Sequence, residues 1–121
     1  MELFVRMRDG VDNAWAYYEN FQVGPESDKF RLTVSGYDNN SSAGDSLSQH
    51  NSMEWSSPDQ DNDTDLINNC AGQLQSSWWF KHCYYSNPLG VYGDEATLAG
   101  NSWNSWKGLM NPLEEITFKI R

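Results

Sequence analysis

Apolar and polar positions alternate along the first 37 residues in a way that predicts strands. ELFVRM (2–7) shows mixed alternation and NAWAYYENFQV (13–23) is rich in aromatics. KFRLTVSGY (29–37) puts Phe30, Leu32 and Val34 on one face with Arg31 and Thr33 on the other. Asp9-Gly10, Gly24-Pro25 and Gly36 punctuate these runs, so the segment predicts an antiparallel meander of about three strands. ITFKIR at the end alternates again and predicts a last strand with Ile116, Phe118 and Ile120 on one side. SSWWFKHCYY (76–85) is the densest aromatic block. No internal repeat, heptad run or helix longer than about two turns is legible.

Between Tyr37 and Asn69 the texture changes to Asn, Ser, Asp, Gly and Gln with few aliphatics, the composition of long irregular loop. Such a loop in a compact domain needs something other than apolar burial to hold it. The expected fold class is therefore α+β: an antiparallel sheet, a long irregular region and few short helices. A length of 121 residues bounds it to one domain.

Charge narrows the partners. Eight Lys+Arg against 17 Asp+Glu leave a formal charge of −9, which repels nucleic acid and anionic membrane surfaces. The mean hydropathy of −0.74 is low, but 6 Trp, 6 Tyr and 5 Phe supply large buried units. No run approaches the roughly 20 apolar residues that cross a bilayer, and MELFVRMRDG lacks the features of a signal peptide. The opening Met directly before strand-like sequence reads as either an engineered start or a partial gene product.

Asp59, Asp61, Asp63 and Asp65 alternate in DQDNDTD. Four like charges so close repel unless a cation sits among them, and hard oxygens at alternate positions are what calcium takes; a solvated acidic loop is the other reading. An EF-hand is excluded, because the position that needs Glu is Cys70 or Gly72. Cys70 and Cys83 read either as one disulfide or as two buried thiols. With His50 and His82 they match no zinc spacing, and adjacent His82 and Cys83 would be awkward joint ligands. No GxSxG elbow is present, and Glu114-Glu115 precede a strand where neighbours point to opposite faces, so no enzyme is expected. Asn39, Asn40 and Asn62 each begin an N-glycosylation pattern.

Taken together, AGDSL (43–47), DQDNDTD, NNCAG (68–72), SSWWFKHC, SNPLGVY (86–92), NSWNSW (101–106) and FKIR (118–121) resemble the fibrinogen-like domain of fibrinogen chains, ficolins, tachylectins and angiopoietins. The resemblance runs from the first residue to the last. It implies the C-terminal part of such a domain, with sheet strands in 1–37 and 114–121 and a calcium and pocket subdomain in 38–113. The family's N-terminal portion, with its own disulfide and glycine-rich segment, has no counterpart here, so completion of the core by a homo-oligomer is a further expectation.

Several site assignments follow from that resemblance. It implies a Cys70–Cys83 disulfide and a Ca2+ ion held by the carboxylates of Asp61 and Asp63 and the carbonyls of Asp65 and Ile67, with Asp59 outside the set. Calcium and disulfide together are then what stabilise the irregular region. A cis bond between His82 and Cys83 would shape a ligand pocket at His82, Cys83 and Tyr84. Leu74, Leu98 and Leu109 stand where acetyl-binding members carry aromatics, and Tyr84 stands where they carry His. The implied function is that of a secreted, extracellular, calcium-dependent module. It would take a carbohydrate or acetylated ligand, in lectin-like pattern recognition of innate immunity. The alternative is a protein-interaction module that uses the face near Tyr84, Tyr85 and Leu109.

Overall fold

The computed structural model describes residues 1–94 and 98–121. Four strands, β1 (Leu3–Asp9), β2 (Asp12–Val23), β3 (Leu32–Tyr37) and β4 (Glu115–Ile120), form one antiparallel sheet in the order β3-β2-β1-β4. Among the described residues the α-helices are short: α1 (Cys70–Leu74) and α2 (Asn104–Lys107), with 3-10 turns at Glu26–Asp28 and Ser48–His50. The class is α+β, and the first three strands form the expected meander.

Alternation decides the faces. In β1, Leu3, Val5 and Met7 are buried, while Phe4, Arg6 and Arg8 turn the other way. In β2 the alternation Ala14, Ala16, Tyr18 breaks before Phe21. The break lies opposite Gly36, whose φ is +73° and where a Cβ would come within 2.6 Å of Glu19 Cβ. Ile116, Phe118 and Ile120 pair with Met7, Val5 and Leu3, so they belong to the core face, although Ile120 is 55% exposed at its end. The sheet's buried residues form one cluster with Trp78, Trp79, Phe80, Trp103 and Leu113 from the irregular region.

Phe30 departs from the strand pattern. It precedes β3, has a φ of +54° and is 43% exposed, so only Leu32 and Val34 of the expected triplet are buried. The backbone is still turning there: the Phe30 N–H reaches back to the Pro25 carbonyl, and its own carbonyl accepts from Trp79 Nε1 at 2.8 Å.

Polar side chains hold the segment after β3 to the core. Gly44 has a φ of +76°, its carbonyl accepts from Trp103 Nε1 at 3.0 Å, and a Cβ there would lie 2.6 Å from Ser105 Cβ. Asp45 accepts from the Tyr18 hydroxyl at 2.7 Å and from the Leu47 and Ser48 N–H groups. Burial opposes its charge, but the bonds from Ser48, Tyr18 and Leu47 outweigh that and hold its pKa below the usual carboxylate range. Asn51 Oδ1 takes the β3 edge N–H of Val34 at 2.8 Å. Glu114 and Glu115 both pair with Arg8, which leaves neither as a free acid or base.

Candidate recognition site

Cys70 and Cys83 form the disulfide, with Cα atoms 5.7 Å apart, which resolves the choice between bridge and free thiols. Asn69 caps α1 by accepting from the Gly72 N–H at 3.0 Å, which seats Cys70, Ala71 and Leu74 in the core. The peptide bond between His82 and Cys83 is cis. Around it the backbone bonds to itself: Lys81 N–H donates to the Cys83 carbonyl at 2.7 Å, and Thr64 N–H donates to the Lys81 carbonyl at 3.1 Å. The acidic loop is therefore tied directly to the disulfide segment.

Within that loop each aspartate has a separate task. Asp65 is buried; its carboxylate accepts from the N–H groups of Ile67 and Asn68 and lies 3.6 Å from His82 Nδ1. The bonds from Asn68 and Ile67 hold its pKa down to about 2. Asp63 accepts from the N–H groups of Asp65 (2.9 Å) and Cys70 (3.0 Å). Burial raises the Asp63 pKa and the neighbouring Asp61 carboxylate raises it further, against the N–H groups that lower it. Asp59 instead takes the Ser57 hydroxyl at 2.7 Å. Asp61 and Asp63 are thus two adjacent hard-oxygen donors whose mutual repulsion a divalent cation would relieve, and they fit calcium. Asp65, Cys70 and Cys83 also bring ligand atoms within 4.8 Å of one another, but both sulfurs are committed to the disulfide and offer no thiolate.

Beside the cis bond lies a cavity of about 200 Å³ lined by Gln49, His50, Lys81, His82, Tyr84 and Tyr85. Of the residues expected at a pocket, His82 and Tyr84 line it and Cys83 joins them in sequence. Leu74, Leu98 and Leu109 do not. Leu74 is buried in the core, Leu98 is exposed and offers its carbonyl to the Tyr84 hydroxyl at 2.5 Å, and Leu109 is half-buried in the turn after α2. Gln49, His50 and Lys81 were not legible as pocket residues, because the first two lie more than thirty residues away in sequence. His50 is fully buried. Its Nδ1 sits 2.8 Å from the Trp79 carbonyl, and its Nε2 accepts from the Tyr85 N–H at 3.0 Å and, more weakly, from Ser86 at 3.4 Å. This fixes Nδ1 as the protonated nitrogen, and burial pushes the His50 pKa down to about 4.

Two exposed aliphatics follow Asp65: Leu66 is 100% exposed and Ile67 is 91% exposed. Of the glycosylation patterns, Asn39 and Asn40 are exposed, whereas the Asn62 side-chain amide donates to the Trp55 carbonyl at 2.8 Å.

The sequence profile of the C-terminal globular domain of fibrinogen beta and gamma chains matches residues 1–121. The protein belongs to this family. Tenascin-R from Gallus gallus is 37% identical over 120 residues, spanning 99% of this chain and 9% of that protein. Tenascin from the same species is 38% identical over 120 residues, spanning 99% and 6%. The fibrinogen-like globe domain of human ANGPTL6 superimposes with a TM-score of 0.90 at 35% identity, over 97% of this chain and 54% of that one. Lamprey fibrin D-dimer, complexed with the peptide Gly-His-Arg-Pro-amide, gives 0.88 at 26% identity, over 97% and 44%. The 121 residues therefore span about half of the solved globe domains and a small part of the tenascins. As a fibrinogen-like domain the protein is an extracellular recognition module and not an enzyme, in keeping with its disulfide.

Proposed function

We propose that the domain recognises proteins through a surface composed of the cavity beside the disulfide and the Leu66–Ile67 tip, with calcium bound at the acidic loop. The observation that carries this reading is the full exposure of two adjacent aliphatics on a loop clasped by Asp65, one residue contact from the cavity wall at His82. Exposed apolar groups on a rigid support suit a protein partner; a sugar has no use for them. The half-exposed Tyr85 adds an amphipathic anchor. Lys81 and His82 at the rim favour a carboxylate-bearing segment over a basic one. Relatives named tenascin and ANGPTL, and a fibrin that holds a peptide, support the same direction.

In this reading Asp61 and Asp63 supply carboxylates and Asp65 and Ile67 supply carbonyls to the ion. Its charge would offset the repulsion that raises Asp63 and stiffen the loop that carries the tip. Calcium is expected to raise the melting temperature by a few degrees over chelator, since about 1 kcal/mol moves a domain of this size by roughly 3–6 °C. Asp61→Asn with Asp63→Asn should abolish the rise. An unchanged calcium affinity in that double variant would refute the assignment.

The partner class is tested on peptide and glycan arrays, each with calcium and with chelator. Carboxylate-rich peptides are expected to bind about tenfold more weakly to Lys81→Ala and Tyr85→Ala, while Gly-His-Arg-Pro-amide does not bind. Calcium-dependent binding confined to acetylated glycans would overturn the protein reading in favour of lectin-like recognition in innate immunity.

A further inference from the structure

Two consecutive residues other than glycine, Lys29 and Phe30, hold left-handed backbone, with φ of +51° and +54°. That conformation is costly for a bulky side chain unless neighbouring bonds impose it. Such bonds are present on both residues. Lys29 N–H donates to the Glu26 carbonyl at 2.8 Å and Phe30 N–H to the Pro25 carbonyl at 3.1 Å. The Lys29 carbonyl accepts from Trp55 N–H at 2.9 Å, and the Phe30 carbonyl accepts from Trp79 Nε1 at 2.8 Å. The Phe30 ring is thereby held 43% exposed on a fixed support.

Phe30 is one wall of a groove of about 280 Å³ that Glu26, Lys29, Trp55, Gln60 and Asn62 also line. Trp55 ties the walls together. Besides its bond to Lys29, its carbonyl accepts from Asn62 Nδ2 at 2.8 Å, and its half-buried ring stands edge-on to Trp79 at 4.9 Å. Its indole N–H has no partner among the described residues and is not sealed from solvent. The groove thus offers two aromatic side chains on fixed backbone and one open donor on a braced ring. It shares no lining residue with the cavity beside the disulfide.

We propose that this groove binds a run of several prolines in polyproline II conformation, carried by a partner protein and flanked by a basic residue. Proline has no N–H, so the carbonyl is the polar group such a run presents, and the Trp55 indole N–H is the donor for it. Prolyl rings pack on the faces of Phe30 and Trp55, and a preformed helix loses little entropy on docking. Charge sets the flank. Lys29 lies 3.6 Å from Glu54 and Asp28 pairs with Arg31, whereas Glu26 has no ion pair among the described residues. A sugar fits less well, because its neighbouring hydroxyls need polar groups held free as forks. Here the Asn62 amide is tied to the Trp55 carbonyl and the Ser57 hydroxyl to Asp59 at 2.7 Å.

The probe is a blocked peptide of about eight prolines with an arginine at each end, titrated to about 1 mM into isotope-labelled protein and followed by NMR at the indole N–H resonances. The Trp55 signal, assigned by its loss in Trp55→Phe, is expected to shift in a saturable way. Trp55→Phe keeps a ring and removes the donor, while Phe30→Asn removes a ring and suits left-handed backbone. Each should weaken binding of the fluorescently labelled peptide about tenfold. Glu26→Gln should weaken it about threefold and remove its advantage over a glutamine-flanked peptide. The proposal is overturned if the Trp55 resonance has not moved at the end of the titration, or if Phe30→Asn binds the peptide as tightly as wild type. A shift produced by a trimer of N-acetylglucosamine and not by the peptide would overturn the choice of occupant in favour of a glycan.

Discussion

His50→Ala is expected to cost about 4 kcal/mol of folding stability, read by urea unfolding near neutral pH. The imidazole is fully buried and joins three parts of the fold: its own turn at Ser48–His50, the Trp79 carbonyl and the backbone N–H groups after Cys83. Alanine leaves that carbonyl and the Tyr85 N–H without their side-chain partner beneath the cavity and opens a void against Trp78, whose ring stands 6.1 Å away. Tyr85 would lose its anchor, so ligand affinity should fall with stability. A cost below about 1 kcal/mol would show that water takes over these bonds and that His50 is a spectator.

The same ring makes the protein acid-labile in a defined window. The unfolded state takes up a proton at His50 near its ordinary value of 6.5, and the folded protein resists until about pH 4. Falling pH across that window favours unfolding, by about 3 kcal/mol in total, and His50 contributes nothing further below it. Asp65, held down to about 2, loses its stabilising charge only at lower pH. Wild-type stability should therefore fall between pH 6.5 and 4, and His50→Ala should be nearly flat there. An equal slope in both proteins would assign the acid lability to other groups.

Cys70→Ser with Cys83→Ser is expected to cost about 3 kcal/mol, the loop-entropy value for a bridge across 13 positions. The loss should not be confined to stability. The bridge ties α1, and through the Cys70 N–H also Asp63, to the His82–Tyr84 wall of the cavity. Calcium affinity and ligand binding should both weaken in a variant that still folds. Equal denaturation midpoints for oxidised and reduced protein would show that the sheet and aromatic cluster hold the region unaided.

Strand positions were legible because a half-buried sheet repeats every two residues: β3 and β4 announce that period directly, while β1 shows it mixed and β2 is marked by its aromatics. Phe30 was misread for an instructive reason. Its apolar side chain extends the β3 alternation, but the Trp79 indole claims its backbone carbonyl, and a partner 49 residues distant leaves no local trace. The acidic loop was visible as a charge pattern. That Asp65 is a structural clasp, and Asp59 a partner of Ser57, depends on where each carboxylate turns.

The order of residues thus determined the fold class, the meander, the family and the identity of the cysteines and aspartates around the site, since each is written in short-range period or spacing. Only the tertiary structure decided which distant residues meet: His50 under the cavity, and Leu74 in the core instead of at a pocket wall. Those outcomes rest on long-range packing and on backbone hydrogen-bond direction, which no local pattern of side chains records.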